Sequence, residues 1–178
     1  VDYVNTCKAR KSACPVTAVV GDAGFWFRLE GWCDILKPAY LFLKAVDTNA
    51  PALHLVLEQA LAIRRHYSMS TFEHAAKLLE QWTVDWRYLH SPIHCAAYVL
   101  NPVNRGKAMQ QDPQIWPQFM VIVHKFLGPE QGSLAVEQYS IYEEVTTGFG
   151  GEMGAASAKR QLPCTWWKSY GASVPQLQ

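Results

Sequence analysis

The chain has 178 residues, 49% of them hydrophobic, which is enough material for one compact domain with its own core. A formal net charge of +1 provides no overall attraction to nucleic acid, so any contact with DNA has to come from a local basic patch. No apolar run reaches the roughly 18 residues of a membrane span, which excludes a transmembrane helix. The start, Val1-Asp2-Tyr3-Val4-Asn5, has neither the basic nor the apolar stretch of a signal peptide. Cys7, Cys14, Cys33, Cys95 and Cys164 form an odd set without a C-x-x-C pair, as expected of a reduced compartment, cytosol or nucleus. The chain does not begin with Met and is expected to be an excerpt of a longer protein or a processed chain.

In chain order the pattern reads almost entirely helical. Residues 1–15 are unassigned. Val16, Thr17, Ala18, Val19 and Val20 form a short β-branched run, the one place where a strand, or at most two, is expected. Gly21 and Asp22 then open a helix whose apolar positions Phe25, Leu29, Trp32, Cys33, Leu36, Tyr40 and Leu43 step by three and four on a single face. Pro38 should kink or split it. Asp47 to Pro51 reads as a stop and restart, with Thr48 or Asn49 as cap. The next helix carries Leu53, Val56, Leu57, Ala60 and Leu61 and ends in Arg64-Arg65-His66. Ser70-Thr71-Phe72-Glu73 is a capping box ahead of a third, with Phe72, Ala75, Ala76, Leu79 and Trp82 turned inward.

Ser91-Pro92 starts a fourth helix and Asn101-Pro102 stops it. Asp112-Pro113 opens a fifth through Trp116, Phe119, Val123 and Phe126, and Gly128-Pro129 turns into a sixth with Leu134, Gln138, Ile141 and Val145 on one side. Residues 147–165, rich in glycine and small side chains, read as a flexible link. Trp166 to Tyr170 is a short helical segment, and Ser173-Val174-Pro175 is expected to begin a further helix cut off by the chain end.

Two stretches carry a resemblance. Leu89-His90-Ser91-Pro92-Ile93-His94-Cys95-Ala96-Ala97-Tyr98-Val99-Leu100-Asn101-Pro102 is followed near the end by Trp166-Trp167-Lys168-Ser169-Tyr170-Gly171-Ala172-Ser173-Val174-Pro175-Gln176-Leu177-Gln178. In that order they resemble the LH-x-P-(L/I)-H-x-A-x-Y-x-LNP and WW-x-x-YG-x-x-x-P-x-LQ blocks of the hAT superfamily of DNA transposases. Phe25-Trp26 is similar to the family's FW pair. Lys37-Pro38, then Val46-Asp47 followed by Pro51, is similar to its P-to-LVD-to-P run. Tyr139-Ser140-Ile141-Tyr142 and Gly148-Phe149-Gly150 resemble its SLY and LFG stretches. There are departures: Trp86-Arg87 inverts the usual pair, Ala97 stands where Gly is usual and Val99 where Phe is usual. The resemblance covers residues 16–178.

That resemblance implies an RNase H-like catalytic core in the parent protein, with two Asp and one Glu holding two Mg²⁺ or Mn²⁺ ions for attack on phosphodiesters. The Asp residues would lie upstream of this chain and the Glu just beyond it, so no acid here carries over as a ligand. The implied architecture is mainly α, the bundle-like helical insertion of such a transposase. It divides into an insertion domain over 16–146, the link over 147–165, and over 166–178 the start of the segment the family associates with dimerisation. Trp166, Trp167, Tyr170 and Pro175 are then candidates to anchor the tail on the helical body or on a partner.

Local chemistry is sparse. His90 and His94, four apart with Cys95 beside them, resemble a metal pair, but the helix begins between them and no third ligand follows, so capping or hydrogen-bonding roles are expected. Cys7 and Cys14 have no convincing His partner in His54 or His66. Glu143-Glu144 and Glu152 read as solvated helix-end charge, and Gly148-x-Gly150-Gly151 lacks the context of a phosphate loop. Arg64, Arg65, Lys159 and Arg160, with Lys8, Arg10 and Lys11, are the candidates for DNA phosphate contacts.

The reading is a catalytically incomplete section of a hAT-like transposase or a domesticated derivative, not itself an enzyme. It would be nuclear, without a cofactor, membrane or small-molecule substrate of its own, and would serve DNA-complex assembly and self-association. The alternative is a helical protein-binding scaffold with no nucleic-acid role.

Overall fold

The computed structural model describes residues 14–107, 112–144 and 148–178. Val145, the 1–13 segment with Cys7 and the Lys8, Arg10 and Lys11 cluster lie outside the described residues. Among those described there are eight α-helices and no strand, so the mainly α class holds. They are α1 (Cys14–Val20), α2 (Ala23–Val46), α3 (Leu53–Met69), α4 (Ala75–Leu89), α5 (Pro92–Val99), α6 (Ile115–Glu144), α7 (Gly151–Ala158) and α8 (Pro163–Tyr170), with a 3₁₀ turn at Pro102–Asn104.

The β-branched run at 16–20 is helical, not a strand. A lone strand would leave its N–H and C=O groups without a ladder, whereas the helix pairs them locally and closes through Gly21 N donating to Thr17 O at 3.0 Å. Asp22 caps α2, its Oδ1 accepting from Gly24 N at 2.8 Å. Pro38 does not end that helix, which runs 24 residues as one element. In contrast, α6 breaks at Gly128, whose φ of 73° and ψ of 179° are non-helical, with Pro129 next to it.

The helices bury two apolar clusters that share α3. On one side Ile63 and Tyr67 of α3 meet Ile35 of α2 and Ala75 of α4, ringed by Trp32, Phe42, Phe72 and Trp82. On the other, Leu57 of α3 joins α5, both halves of α6, and α7, α8 and the tail, including Val99, Phe119, Tyr142 and Trp166. Fully burying a side chain such as Ile63 contributes about 1.5–3 kcal/mol.

Two helices turn a different face inward from the one their spacing suggests. On α2, Leu29, Leu36, Tyr40 and Leu43 are exposed and the packed side is Ile35, Trp32, Ala39 and Phe42. The cause is a close approach at Gly31, where an added Cβ would sit 2.8 Å from the Phe72 ring. In the second half of α6, Leu134 and Ile141 are exposed, and Ala135, Tyr139 and Tyr142 face the core. Ala76, expected inside, is exposed, and so is Phe126.

Residues 148–165 are not a bare link. They hold α7 and the start of α8, joined by a turn in which Arg160 N and Gln161 N both reach Ser157 O. Small side chains there let α7 pack closely: Gly154, Ser157 and Ala158 are its buried residues.

Gly128 offers a clean test of the break in α6. An alanine Cβ there would meet nothing within 4 Å, so its whole cost is backbone strain at positive φ. Gly128→Ala is expected to lower unfolding stability by about 1–3 kcal/mol in denaturant titrations; an unchanged midpoint would mean the break relaxes into a continuous helix.

Candidate functional site

Helix α8 begins at extended Leu162, with Pro163 in its first turn, and brings two adjacent tryptophans inward. Neighbouring helical side chains diverge by about 100°, which suggests that one indole must pack elsewhere. Both are nonetheless buried, Trp166 at 2% and Trp167 at 6% exposure. The reason is that α8 is flanked on two sides. Trp166 Nε1 donates to Gly154 O of α7 at 2.8 Å, and Trp167 Nε1 donates to Leu100 O at the end of α5 at 2.7 Å.

Tyr142 packs against both indoles, its ring centroid 6.3 Å from Trp166 and 5.0 Å from Trp167. Phe149 stacks on Trp166 at 6.2 Å, and Tyr170, half-buried, lies 5.4 Å from the same ring. The Arg105 guanidinium covers the Tyr142 and Phe149 rings at 5.3 and 5.2 Å, a cation–π cap on the cluster. Burial pushes the Tyr142 phenol well above its ordinary range, so it stays protonated.

The tail after α8 is two successive turns rather than the start of a helix: Val174 N donates to Gly171 O at 2.9 Å and Leu177 N to Val174 O at 3.0 Å. Pro175, expected as an anchor, is exposed. Its neighbours do the anchoring, Val174 and Leu177 being buried. Gln176 N donates to Gln138 Oε1 at 2.9 Å, the two side-chain amides of that pair are bonded as well, and Gln178 Nε2 donates to Trp167 O at 3.2 Å. Reasoning from sequence missed Val174 and Leu177; their spacing of three across Pro175 was the available signal.

The histidine group has a structural geometry. His94 Nδ1 accepts from Ser91 N at 3.0 Å, closing the first turn of α5, which fixes its neutral form with the proton on Nε2. His90 Nε2 donates to Gln118 Oε1 at 2.7 Å, and Cys95 Sγ lies 3.9 Å from the same nitrogen. Burial, with Asp112 adding to it, pushes the Cys95 thiol up to about 11, away from the thiolate that metals and electrophiles require. Among the described residues no three His, Cys, Asp or Glu side chains converge on one point.

The basic pairs stand in different settings. Arg64 is engaged by Asp112 at 3.4 Å, a partner 48 residues away. Arg65 borders a groove of about 460 Å³ between α3 and α4 with Ser68, Leu79 and Thr83. Lys159 and Arg160 are exposed where α7 ends. None of the described helices is long and apolar enough to cross a membrane. Comparison with protein-family models, curated proteins and solved structures finds no match for the chain.

Two outcomes follow from this geometry. Trp167→Ala should destabilise the monomer by about 3–5 kcal/mol. Trp167→Phe, which keeps most of the ring but orphans the Leu100 carbonyl, should cost about 1–3 kcal/mol. Denaturant melts read both; unchanged melts with altered association would place Trp167 at an interface instead.

The second concerns pH. His94 titrates below its ordinary 6.5 because of burial, with His90 adding to it, so the folded chain favours the neutral ring. The unfolded chain protonates first as pH falls, hence this contribution is whole above pH 6.5 and is lost as pH drops below it. His54, lowered by burial against the opposing pull of Glu58, acts in the same direction. His94→Gln keeps an acceptor for Ser91 and removes the titration, so its stability should fall less between pH 6.5 and 5. Parallel curves for the two proteins would refute the assignment.

Proposed function

We propose that this chain is a non-catalytic section of a hAT-like DNA transposase, or of a host protein descended from one. In this reading it works in the nucleus in self-association and in assembly of the protein–DNA complex. The observation that supports it most is the meeting of the two motif-like blocks. Leu89–Pro102 and Trp166–Gln178 lie far apart in sequence, yet Trp167 of the second donates its indole N–H to Leu100 of the first at 2.7 Å. A pair of blocks that recur together in a family is expected to form one structural unit, and these two do.

The catalytic acids implied by the resemblance would belong to other parts of the parent protein, with Mg²⁺ or Mn²⁺ bound there rather than here. Arg64, Arg65, Lys159 and Arg160 are the cations proposed to meet DNA phosphates, and Arg64 also pairs with Asp112. The near-neutral charge keeps the scaffold alternative in play, in which the helices bind protein alone.

The test uses the purified chain with supercoiled plasmid in Mg²⁺ or Mn²⁺. No nicking is expected, while binding to duplex DNA should weaken with salt by about 0.9 logarithmic units per phosphate contact. Replacing Lys159 and Arg160 with Ala should flatten that slope. Nicking abolished by a single Asp or Glu change would place an active site in this chain. Absence of DNA binding at low salt would favour the scaffold.

A further inference from the structure

The exposed side of α2 is more ordered than a scatter of surface apolar residues. Trp26, Leu29, Cys33, Leu36, Tyr40 and Leu43 follow one another at intervals of three, four, three, four and three. This is the a/d spacing of a helix seam that packs on another helix. Every member is exposed, Trp26 and the four from Leu29 to Leu43 at 39% to 63% and Cys33 with them. Trp26 also donates its indole N–H to Val20 O at 2.8 Å, so the open seam runs from Leu29 to Leu43. The helix needs no partner to form, because its other face is already held against α3 and α4. A second helix laid on the seam would therefore gain apolar burial without the cost of folding α2.

The residues flanking the seam select the occupant. One flank, Trp32 and Ala39, is turned into the chain's own core. The other carries Glu30 and Lys37, both exposed, and neither is in an ion pair among the described residues. In a parallel pair of helices each charged flank would face the apolar flank of its neighbour, leaving these charges unmatched. In an antiparallel pair the charged flanks face each other, and two-fold symmetry sets Glu30 of each copy against Lys37 of the other, twice. The sequence of α2 is thus complementary to itself in one orientation.

We infer that α2 is a self-association surface on which a second copy of this chain docks antiparallel through the Leu29–Leu43 seam. The surface is separate from the Trp166–Trp167 cluster. It gives a partner to the self-association in the proposed function but stands on the seam and its charges, not on the family resemblance.

The experiment is sedimentation velocity over a concentration series. The chain should dimerise. Leu36→Glu should raise the dissociation constant at least about 30-fold while leaving the melting of the monomer unchanged. Glu30→Lys and Lys37→Glu should each weaken the dimer by about two- to fivefold, and the double exchange should restore it, which only direct antiparallel pairing predicts. Alkylation of Cys33 should slow as concentration rises, with exposed Cys164 as the unaffected reference. A monomer at all concentrations, a dimer indifferent to Leu36→Glu, or no rescue by the double exchange overturns the inference. A monomer whose Cys33 is already protected overturns it too, because the chain would then cover its own seam. A dimer that fails to bind DNA keeps this surface and removes the DNA reading; a monomer that binds DNA does the reverse.

Discussion

The carbonyl at the end of α5 constrains the whole C-terminal half. The last carbonyls of any helix have no partner within it, and when such an end is buried each must find one elsewhere or cost a desolvation penalty of about 1–3 kcal/mol. Here the partners come from outside the helix. Asn104 Nδ2 reaches Tyr98 O at 3.2 Å, and Trp167 Nε1 reaches Leu100 O at 2.7 Å. An indole N–H that is itself removed from water has the same need, so each group satisfies the other. Once Trp167 is fixed, the tail follows, since its own carbonyl accepts from Gly171 N at 2.7 Å and from Gln178 Nε2 at 3.2 Å.

From that junction the aromatic cluster extends to Tyr142 and Phe149, with Arg105 lying over both rings. The opposite cluster, around Ile35, Ile63 and Tyr67, combines aliphatic packing with ring contacts, as where Trp32 meets Phe72 edge to face at 5.0 Å. Helix α3 contributes Leu57 to one cluster and Ile63 and Tyr67 to the other. Helix α4 spans both as well, with Ala75 in one and Trp86 packed against the other, so α3 and α4 together join the two halves of the fold.

Starts and stops were legible because they depend on residues close in sequence. Asp22, Ser91-Pro92, Asn101-Pro102 and Gly128-Pro129 act within one turn of themselves, and each marks a boundary or a break in the structure. Faces were less legible. Both α2 and the second half of α6 have apolar residues on more than one side, and what selects the buried side is a small residue, Gly31 or Ala135, that periodicity counts for little. The same blindness made residues 147–165 look like a link, since Gly154 was read as freedom where it allows closeness. At the candidate site the two tryptophans were conspicuous in sequence, while the acceptors they need, Leu100 and Gly154, were not. Nor does anything near Arg64 in the chain announce Asp112, which compensates its charge.

The block that carries the strongest resemblance is built of residues with local structural tasks. Pro92 occupies the first turn of α5, His94 accepts from Ser91 N, Asn101 Oδ1 accepts from Val103 N at 3.2 Å, and Leu100 offers its carbonyl to Trp167. Each keeps its value only if a helix starts and stops at those points and a second segment closes over its end. A pattern of this kind specifies a shape rather than a reaction. In the proposed reading, acids placed elsewhere would have to supply the chemistry. Helix α2 runs 24 residues without a break and keeps one apolar side facing water. A second partner for that side is the simplest way for such a helix to satisfy both of its faces.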